Sequence, residues 1–222
     1  MSFPIAPAFS ALRLARLRDV PRIATVATAG FYYSPVFPWE SRFHRDFPTD
    51  TFQSYEKMFA DTIISPDYAT LVVEDSYDPA EAEKTEATIK PDEKISAPKL
   101  QKPETVLLDK SPFHADMLDE KCDAAEEKYF EGHQLVDMVV VHPAYWRRGH
   151  GTSLVKWGKA LADVDRVNQG VIAADMGEKL YTSLGYGKLD DVRAVSEDGP
   201  PPHEVQVGVL RYSGPWSARA EL

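Results

Sequence analysis

The stretch VVVHPAYWRRGHGTSLVKWGKALADV, Val139–Val164, decides the fold, because it joins a run of β-branched residues to a patterned helix through two alternating glycines. β-Branched residues favour strands, and the apolar positions after the glycines recur at helical spacing. Gly149 and Gly151 let backbone amides turn toward a ligand with no Cβ in the way. Amides at the start of a helix, at the positive end of its dipole, form a site for phosphate. The sequence therefore predicts a strand, an anion-binding turn and a helix, with Arg147 and Arg148 supplying further contacts to phosphate.

The spacing of these glycines does not by itself identify a nucleotide site. A dinucleotide-binding fingerprint requires a third glycine and an acidic residue after the next strand. The run GHGTS also lacks the lysine of the phosphate-binding P-loop. Glycines that serve only a tight turn remain the alternative interpretation.

The periodicity of the remaining chain indicates helices alternating with strands. Upstream it predicts a strand or extended lead-in before Asp19, a helix from about Val20 to Gly30, a helix over residues 51–63, a strand over 69–74 and a helix over 113–131. Downstream it predicts strands over 135–141, 171–174 and 205–212 and helices over 151–163 and 177–184. This alternation indicates an α/β or α+β sheet protein, and the length of 222 residues favours one domain over 1–222.

Residues 75–104 interrupt this pattern with a stretch rich in Glu, Lys, Pro and Ala and poor in large apolar groups. Such a composition cannot bury enough surface to fold independently. We interpret it as a polar, solvated and mobile insertion, with a docking segment for a partner as the alternative.

Composition limits the class of function. A net charge of -10 argues against binding to nucleic acid or to an anionic membrane, both of which require a basic surface. It favours small ligands or proteins as partners, and a cationic amine over an anionic one as substrate. Cys122 is the single cysteine, so we expect no intramolecular disulfide and no metal site of the zinc type. With no signal-peptide pattern and no apolar run long enough to span a bilayer, we expect a cytoplasmic protein. For its oligomeric state, we expect either a monomer or a homodimer.

Two motifs together resemble the GNAT superfamily of acyl-CoA-dependent N-acetyltransferases, and the fungal-type small-molecule acetyltransferases within it. The first is VVVHPAYWRRGHGTSLVKW, and the second, GEKLYTSLGY, follows at the expected distance. The matching positions are Val141, Pro143, Gly149, Gly151, Leu180, Tyr181, Leu184 and Gly185, with Tyr186 where phenylalanine is usual. Trp146 departs from the glutamine or arginine of the family pattern. The apolar third strand of the family is also hard to find, because the polar insertion occupies its place.

The resemblance implies a mixed, splayed central sheet flanked by helices, with the thioester of acetyl-CoA in the V between two strands. It implies cofactor contacts from the strand at Val139 and Val141 and from the turn formed by Arg147, Arg148, Gly149, His150, Gly151 and Thr152. It also implies direct transfer, in which a neutral amine attacks the thioester, no metal takes part, and the enzyme supplies a base and a donor to the departing thiolate.

The resemblance points to candidates for both catalytic roles. Tyr181 matches the tyrosine that reaches the CoA sulfur in many members, and packing within its helix is the alternative. Asp137 lies on the strand that carries the base in some relatives; strand alternation places it with Val139 and Val141, and a structural aspartate is the alternative.

The aromatic, proline-rich segment FYYSPVFPWESRFHRDF, residues 31–47, occupies the position where relatives bind the acceptor. Tyr32, Tyr33, Trp39 and His44 are candidates to wall a pocket for an apolar or aromatic amine. Rings that only pin the loop to the core are the alternative.

The function that these motifs imply is N-acetylation of a small-molecule amine with acetyl-CoA. The sequence leaves three alternatives open: O-acylation or a longer acyl donor, a GNAT-fold protein that binds CoA or a partner without transfer, and a fold recruited to chemistry without CoA.

Overall fold

The computed structural model describes residues 7–89, 109–198 and 201–217. In chain order its elements are β1 (Leu12–Leu14), α1 (Val20–Phe31), α2 (Val36–Glu40), α3 (Pro48–Ile64), β2 (Leu71–Val73), α4 (Ala80–Ile89), α5 (Pro112–Tyr129), β3 (Gln134–Leu135), α6 (His150–Asp165), β4 (Gln169–Ala173), α7 (Asp175–Ser183), β5 (Gly187–Val195) and β6 (Glu204–Tyr212). Short 3₁₀ turns at Leu17–Asp19 and Pro143–Tyr145 precede α1 and α6.

Within the described residues, the strands form two sheets. β1 and β2 pair antiparallel, with Leu12 opposite Val73. The larger sheet has the order β3-β4-β6-β5, in which β3 runs parallel to β4 and the other neighbours are antiparallel. The result is a mixed sheet flanked by helices, as the sequence predicted.

Three apolar clusters hold these layers together. One packs α5 and Trp39 of α2 against β5 and β6. A second packs Val155 of α6 and Tyr181 of α7 against β4. The third joins α1 and α3 through Ile23, Ala27 and Phe59. The first two clusters therefore cover the larger sheet with helices from both halves of the chain.

Two predicted boundaries differ from the structure around the sheet. The strand expected over 135–141 is paired only at Gln134–Leu135, because the chain diverges from β4 after Val136. β5 was not predicted, since GKLDDVRAV carries too few apolar residues for a strand signal. β5 lies at the edge of the sheet, and of its side chains only Val192 and Ala194 are buried.

The polar stretch 75–104 contains α4 in its described part, Asp75–Ile89. This stretch is poor in large apolar groups, but its Ala, Glu and Lys residues favour helix. α4 lies against α1 and the 3₁₀ turn at Pro143–Tyr145 through polar contacts, so this part of the stretch is docked rather than solvated throughout. Residues 90–108, which include the remainder of the predicted insertion and the place where a third strand was expected, lie outside the described residues.

Candidate functional site

Residues 137–141, which precede the glycine turn, separate from β4 and leave a V-shaped gap beside it. We call this gap the wedge. The amide of Val136 donates to the carbonyl of Gly170 at 2.9 Å. Beyond it, the backbone of 137–141 makes no backbone hydrogen bond to any other described residue. Extended backbone with free N–H and C=O groups can pair with an extended ligand.

Helix α6 begins directly beside the open end of this wedge. Gly149 is its N-cap, with φ 88° and ψ 1°, a left-handed conformation that favours glycine. The first amides of a helix have no intrahelical acceptor, and α6 is 16 residues long, so its N-terminus carries a full positive dipole end. A Cβ on Gly151 would lie 3.3 Å from Leu180 Cδ2, so Gly151 permits close approach of α6 to α7. These features fit a pyrophosphate group at residues 149–152.

The structure separates the two arginines that the sequence treated alike. Arg148 is held: its guanidinium contacts Asp75 at 3.2 Å, Asp78, and the carbonyl of Ala144 at 3.1 Å. Its Cζ atom also lies 4.9 Å from the centre of the Tyr145 ring. Arg147 is exposed and its side chain has no partner among the described residues. Arg147 is therefore the arginine available to a phosphate.

His150 and Thr152 complete the turn. His150 Nε2 lies 2.8 Å from Asp75 Oδ2, so its side chain is also turned toward the segment that follows β2. Thr152 is half-buried in the first turn of α6 and has no side-chain partner among the described residues. The backbone amides of both residues, rather than the imidazole of His150, face the site that the sequence predicted.

Trp146 stands where the family pattern has glutamine or arginine, and its side chain turns away from the helix start. The indole Nε1 donates to the carbonyl of Val141 at 2.7 Å. Its ring meets Tyr33 edge-on, with ring centroids 5.2 Å apart. Trp146 thus connects the strand end to the aromatic segment and leaves anion contact to the amides and to Arg147.

Tyr181 lies on α7 within the cluster that spans both sides of the wedge. Its neighbours there include Val136 and Val139 from one side and Ala173 from the other. The side chain is buried, and its hydroxyl has no hydrogen-bond partner among the described residues. Burial raises the pKa of Tyr181, so the phenol stays protonated over the whole working pH range. It is a proton donor with a free proton beside the wedge.

Asp137 lies at the start of the divergent backbone. Desolvation by the surrounding protein raises the pKa of its carboxyl, although the side chain as a whole remains exposed. Glu126 of α5 faces it: desolvation and then the negative charges of Asp123 and Asp137 raise the pKa of Glu126. Among the described residues neither carboxylate has a cationic partner. The sequence analysis missed Glu126, because nothing distinguishes it from the other acids of α5 before the helix is packed.

The predicted acceptor residues divide into two groups. Tyr32, Tyr33 and His44 form one aromatic cluster, in which Tyr32 contacts both other rings at centroid distances of 5.5 and 5.8 Å. Trp39 lies elsewhere: it is fully buried and its Nε1 donates to the carbonyl of His114 at 2.9 Å. Trp39 therefore belongs to the core beneath the segment, and Tyr33, through Trp146, is the ring that adjoins the turn.

A cavity of about 1160 Å³ extends from the divergent backbone toward β2. Its described lining includes Glu126, Asp137, Val139, Val141, His150 and Leu154. The cavity thus brings the two carboxylates and the start of α6 to one connected space large enough for a small molecule. Among the described residues, there is no group of three or more His, Cys, Asp or Glu suited to a metal ion, and no helix is long and apolar enough to cross a membrane.

Comparisons with known proteins agree with this architecture. No protein-family model matches the chain. A curated protein named Acetyltransferase, from Stachybotrys chartarum, is 31% identical over 223 aligned positions, which cover 94% of each chain. The solved C-terminal condensation domain of Ebony, in complex with beta-alanyl-dopamine, is similar with a TM-score of 0.52 and 12% identity, over 90% of this chain and 97% of that one. A GCN5-related N-acetyltransferase from Rhodopseudomonas palustris has a TM-score of 0.46 and 14% identity, over 96% of this chain and 99% of that one.

Proposed function

The chain belongs to the GNAT superfamily of acetyltransferases, and from this premise we propose that it transfers an acetyl group from acetyl-CoA directly to the amine of a small molecule. The observation that carries the proposal is the wedge after Val136, which leads to the start of α6 and whose Val139 packs against the cluster that contains Tyr181. A strand that leaves its sheet next to an anion-binding helix start accommodates an extended, phosphate-bearing acyl donor.

The residues at hand support the cofactor end of the proposal. The amides of His150, Gly151 and Thr152 would bind the pyrophosphate at the positive end of α6, and Arg147, which has no side-chain partner in the described part of the chain, would add a charge-assisted contact. The backbone of Val139, which makes no backbone hydrogen bond to another described residue, and the N–H of Val141 would pair with the amides of the pantetheine arm, since the carbonyl of Val141 already accepts from Trp146. Bound there, acetyl-CoA supplies a thioester carbonyl open to attack by a nucleophile.

Transfer requires two proton movements, and the wedge offers a group for each. The acceptor nitrogen forms a bond to the acetyl carbon while the bond from that carbon to sulfur breaks. Asp137 would take the proton that the amine must lose, and its raised pKa improves its match to that task. Tyr181 would give its hydroxyl proton to the departing sulfur, and the second proton that the acylated nitrogen loses would restore the phenol.

The acceptor is an amine that arrives as an ammonium ion. Desolvation raises the pKa of both Glu126 and Asp137, the charge of Asp137 adds to the rise at Glu126, and neither carboxylate has a cationic partner among the described residues. A cation between them relieves that repulsion, whereas an anionic acceptor is repelled. The rings of Tyr33 and Trp146 contact each other, and Trp146 directly precedes the turn, so these rings would contact the apolar part of the acceptor.

The test of the cofactor site is calorimetric titration of the protein with acetyl-CoA. The matched variant is Thr152→Glu, because a carboxylate in the first turn of α6 favours the helix but repels a pyrophosphate. Thr182→Glu, at an exposed position of α7, makes the same charge change away from the turn. We expect micromolar binding for the protein and for Thr182→Glu, and at least a tenfold loss for Thr152→Glu. Binding that ignores Thr152→Glu would contradict the assigned pyrophosphate site.

The test of the reaction is a screen of amines, amino alcohols and anionic amino acids for acetyl-CoA-dependent release of thiol. Mass spectrometry identifies the product, and alkaline hydroxylamine separates oxygen esters, which it cleaves, from amides, which it does not. Cationic amines converted to hydroxylamine-resistant products are the expected outcome. An ester product would replace N-acetylation by O-acetylation at the same wedge.

A further inference from the structure

A short acidic segment after β2 holds the anion-binding turn from outside the sheet. We call residues 75–85 the strap. The strap contacts five residues of the turn and its approach, His142, Pro143, Tyr145, Arg148 and His150. The sequence predicted this stretch as solvated, and the activity proposed above assigns it no role.

The buried end of the strap is anchored by Glu81. Glu81 is 6% exposed, and its carboxylate accepts from Nη1 and Nη2 of Arg22 on α1, from Nη2 at 2.7 Å. The hydroxyl of Tyr145 donates to Glu81 Oε2 at 2.6 Å and accepts from the amide of Asp78 at 3.0 Å. Because the Arg22 guanidinium stabilises the ionised form, the pKa of Glu81 is held at about 2. Glu81 therefore joins α1, the strap and the 3₁₀ turn through one charged, hydrogen-bonded centre.

The exposed end of the strap holds Arg148. Asp75 and Asp78 both contact its guanidinium, and Asp75 also contacts His150. Arg148 is the residue between Arg147, with φ 66°, and Gly149, with φ 88°. A left-handed arginine is a strained conformation that persists only where its neighbours determine it. The strap contacts Tyr145 on one side of Arg147 and Arg148 on its other side, so it holds the chain on both sides of this strained residue.

We propose that the strap is a positioning element for the anion-binding turn, in which Asp75 and Asp78 act through Arg148, and Glu81 acts through Tyr145. Asp75 and Asp78 would ordinarily weaken phosphate binding, because two carboxylates stand next to an anion site. Here both carboxylates contact Arg148, which compensates one of their two charges, so we expect their main effect to be preorganisation of the amides of the turn. The ligand part of this inference rests on the proposed function, and the conformational part does not.

The experiment compares the protein with Asp75→Asn/Asp78→Asn, with Arg148→Met and with the triple variant. The first measurement is hydrogen exchange in the ligand-free protein at the amides of Tyr145 and Ser153, which donate to His142 and Gly149 at 2.8 and 2.9 Å. The second is the dissociation constant of acetyl-CoA. The control is Asp116→Asn/Glu120→Gln, which removes the same charge from exposed positions of α5.

We expect the double variant to exchange these two amides at least tenfold faster and to bind acetyl-CoA about tenfold more weakly, with little change at the amide of Ile172 in β4. The triple variant should resemble Arg148→Met, since the acids act through that arginine. Unchanged exchange, or tighter acetyl-CoA binding in the double variant, would overturn the inference in favour of carboxylates that merely compete with phosphate. Strictly additive losses in the triple variant would overturn the route through Arg148.

The two proposals fail differently. If the unsubstituted protein does not bind acetyl-CoA, the proposed cofactor site is wrong, and the exchange rates still decide whether the strap holds the turn. If acetyl-CoA binds but neither measurement responds to the strap variants, the positioning role is wrong and the cofactor site stands.

Discussion

Replacing Tyr181 by phenylalanine separates the catalytic role of its hydroxyl from the packing role of its ring. The ring stays in its cluster, 5.2 Å from the centroid of Tyr186, and the hydroxyl that is lost has no partner among the described residues. No hydrogen bond is broken and no cavity larger than one oxygen is formed. We therefore expect the free energy of unfolding to change by no more than about 0.5 kcal/mol. Loss of a general acid lowers the rate by about 10²- to 10⁴-fold, so kcat should fall by that factor.

Tyr186→Phe is the matched control, because it removes the same atom from a neighbouring ring but is expected to lower stability rather than kcat. The Tyr186 hydroxyl donates to Gln169 Oε1, and both side chains are buried. Its loss leaves a buried acceptor unsatisfied, which costs about 1–3 kcal/mol, while kcat should change little. For each variant, urea unfolding gives the free energy of unfolding and thiol-release kinetics give kcat. A Tyr181→Phe enzyme within threefold of the normal kcat would refute the donor role and leave Tyr181 as a packing residue.

Four further outcomes follow from the same geometry. Asp137→Asn should abolish the acidic limb of the pH profile of kcat/KM. Because desolvation raises the folded-state pKa of Asp137, its ionisation opposes folding, and the variant should be at least as stable as the unsubstituted protein at pH 7. A lower Tm for the variant would contradict this expectation. Arg147→Ala should weaken acetyl-CoA binding by about tenfold, less so at high salt, with an unchanged Tm; an unchanged dissociation constant in calorimetry would exclude contact with phosphate. Gly30→Ala places a Cβ 2.9 Å from the carbonyl of Val141, so overpacking should destabilise the protein by about 1–3 kcal/mol in urea unfolding, and a neutral result would mean that α1 can shift. Glu81 has its pKa lowered to about 2, so its contribution to stability is present above the ordinary value of 4.5 and is lost as pH falls from there toward 2; this loss in thermal unfolding should be absent in Glu81→Gln.

Much of the fold could be read from local patterns. The helices α1, α3, α5, α6 and α7 occur close to their predicted bounds, because each carries an apolar stripe at helical spacing next to a Gly, Pro or capping signal. β5 and α4 were missed for the opposite reason. An edge strand buries few side chains, and a helix docked through ion pairs leaves no apolar stripe.

The parts of the candidate site that depend on the backbone conformation of a particular residue type could be predicted. The parts that depend on contacts between side chains of different elements could be predicted less well. Gly149 was identified because a left-handed N-cap requires glycine. Glu126 could not be identified, because what sets it apart from the other acids of α5 is its proximity to Asp137, on the divergent backbone after β3. Nor could Arg147 be distinguished from Arg148, because only the strap decides which of the two is already paired.

The sequence by itself determined the order of strand, glycine turn and helix, the acidic charge and the motifs of an acetyltransferase, because these depend on residue type and on spacing along the chain. The tertiary structure alone decided which groups can act. It ended the pairing of β3 after Leu135, buried Trp39 in the core, left the hydroxyl of Tyr181 without a partner in the described part of the chain and bound Arg148 to the strap. Burial and pairing are properties of neighbours brought together by folding, and residues far apart in sequence give no sign of them until the chain is packed.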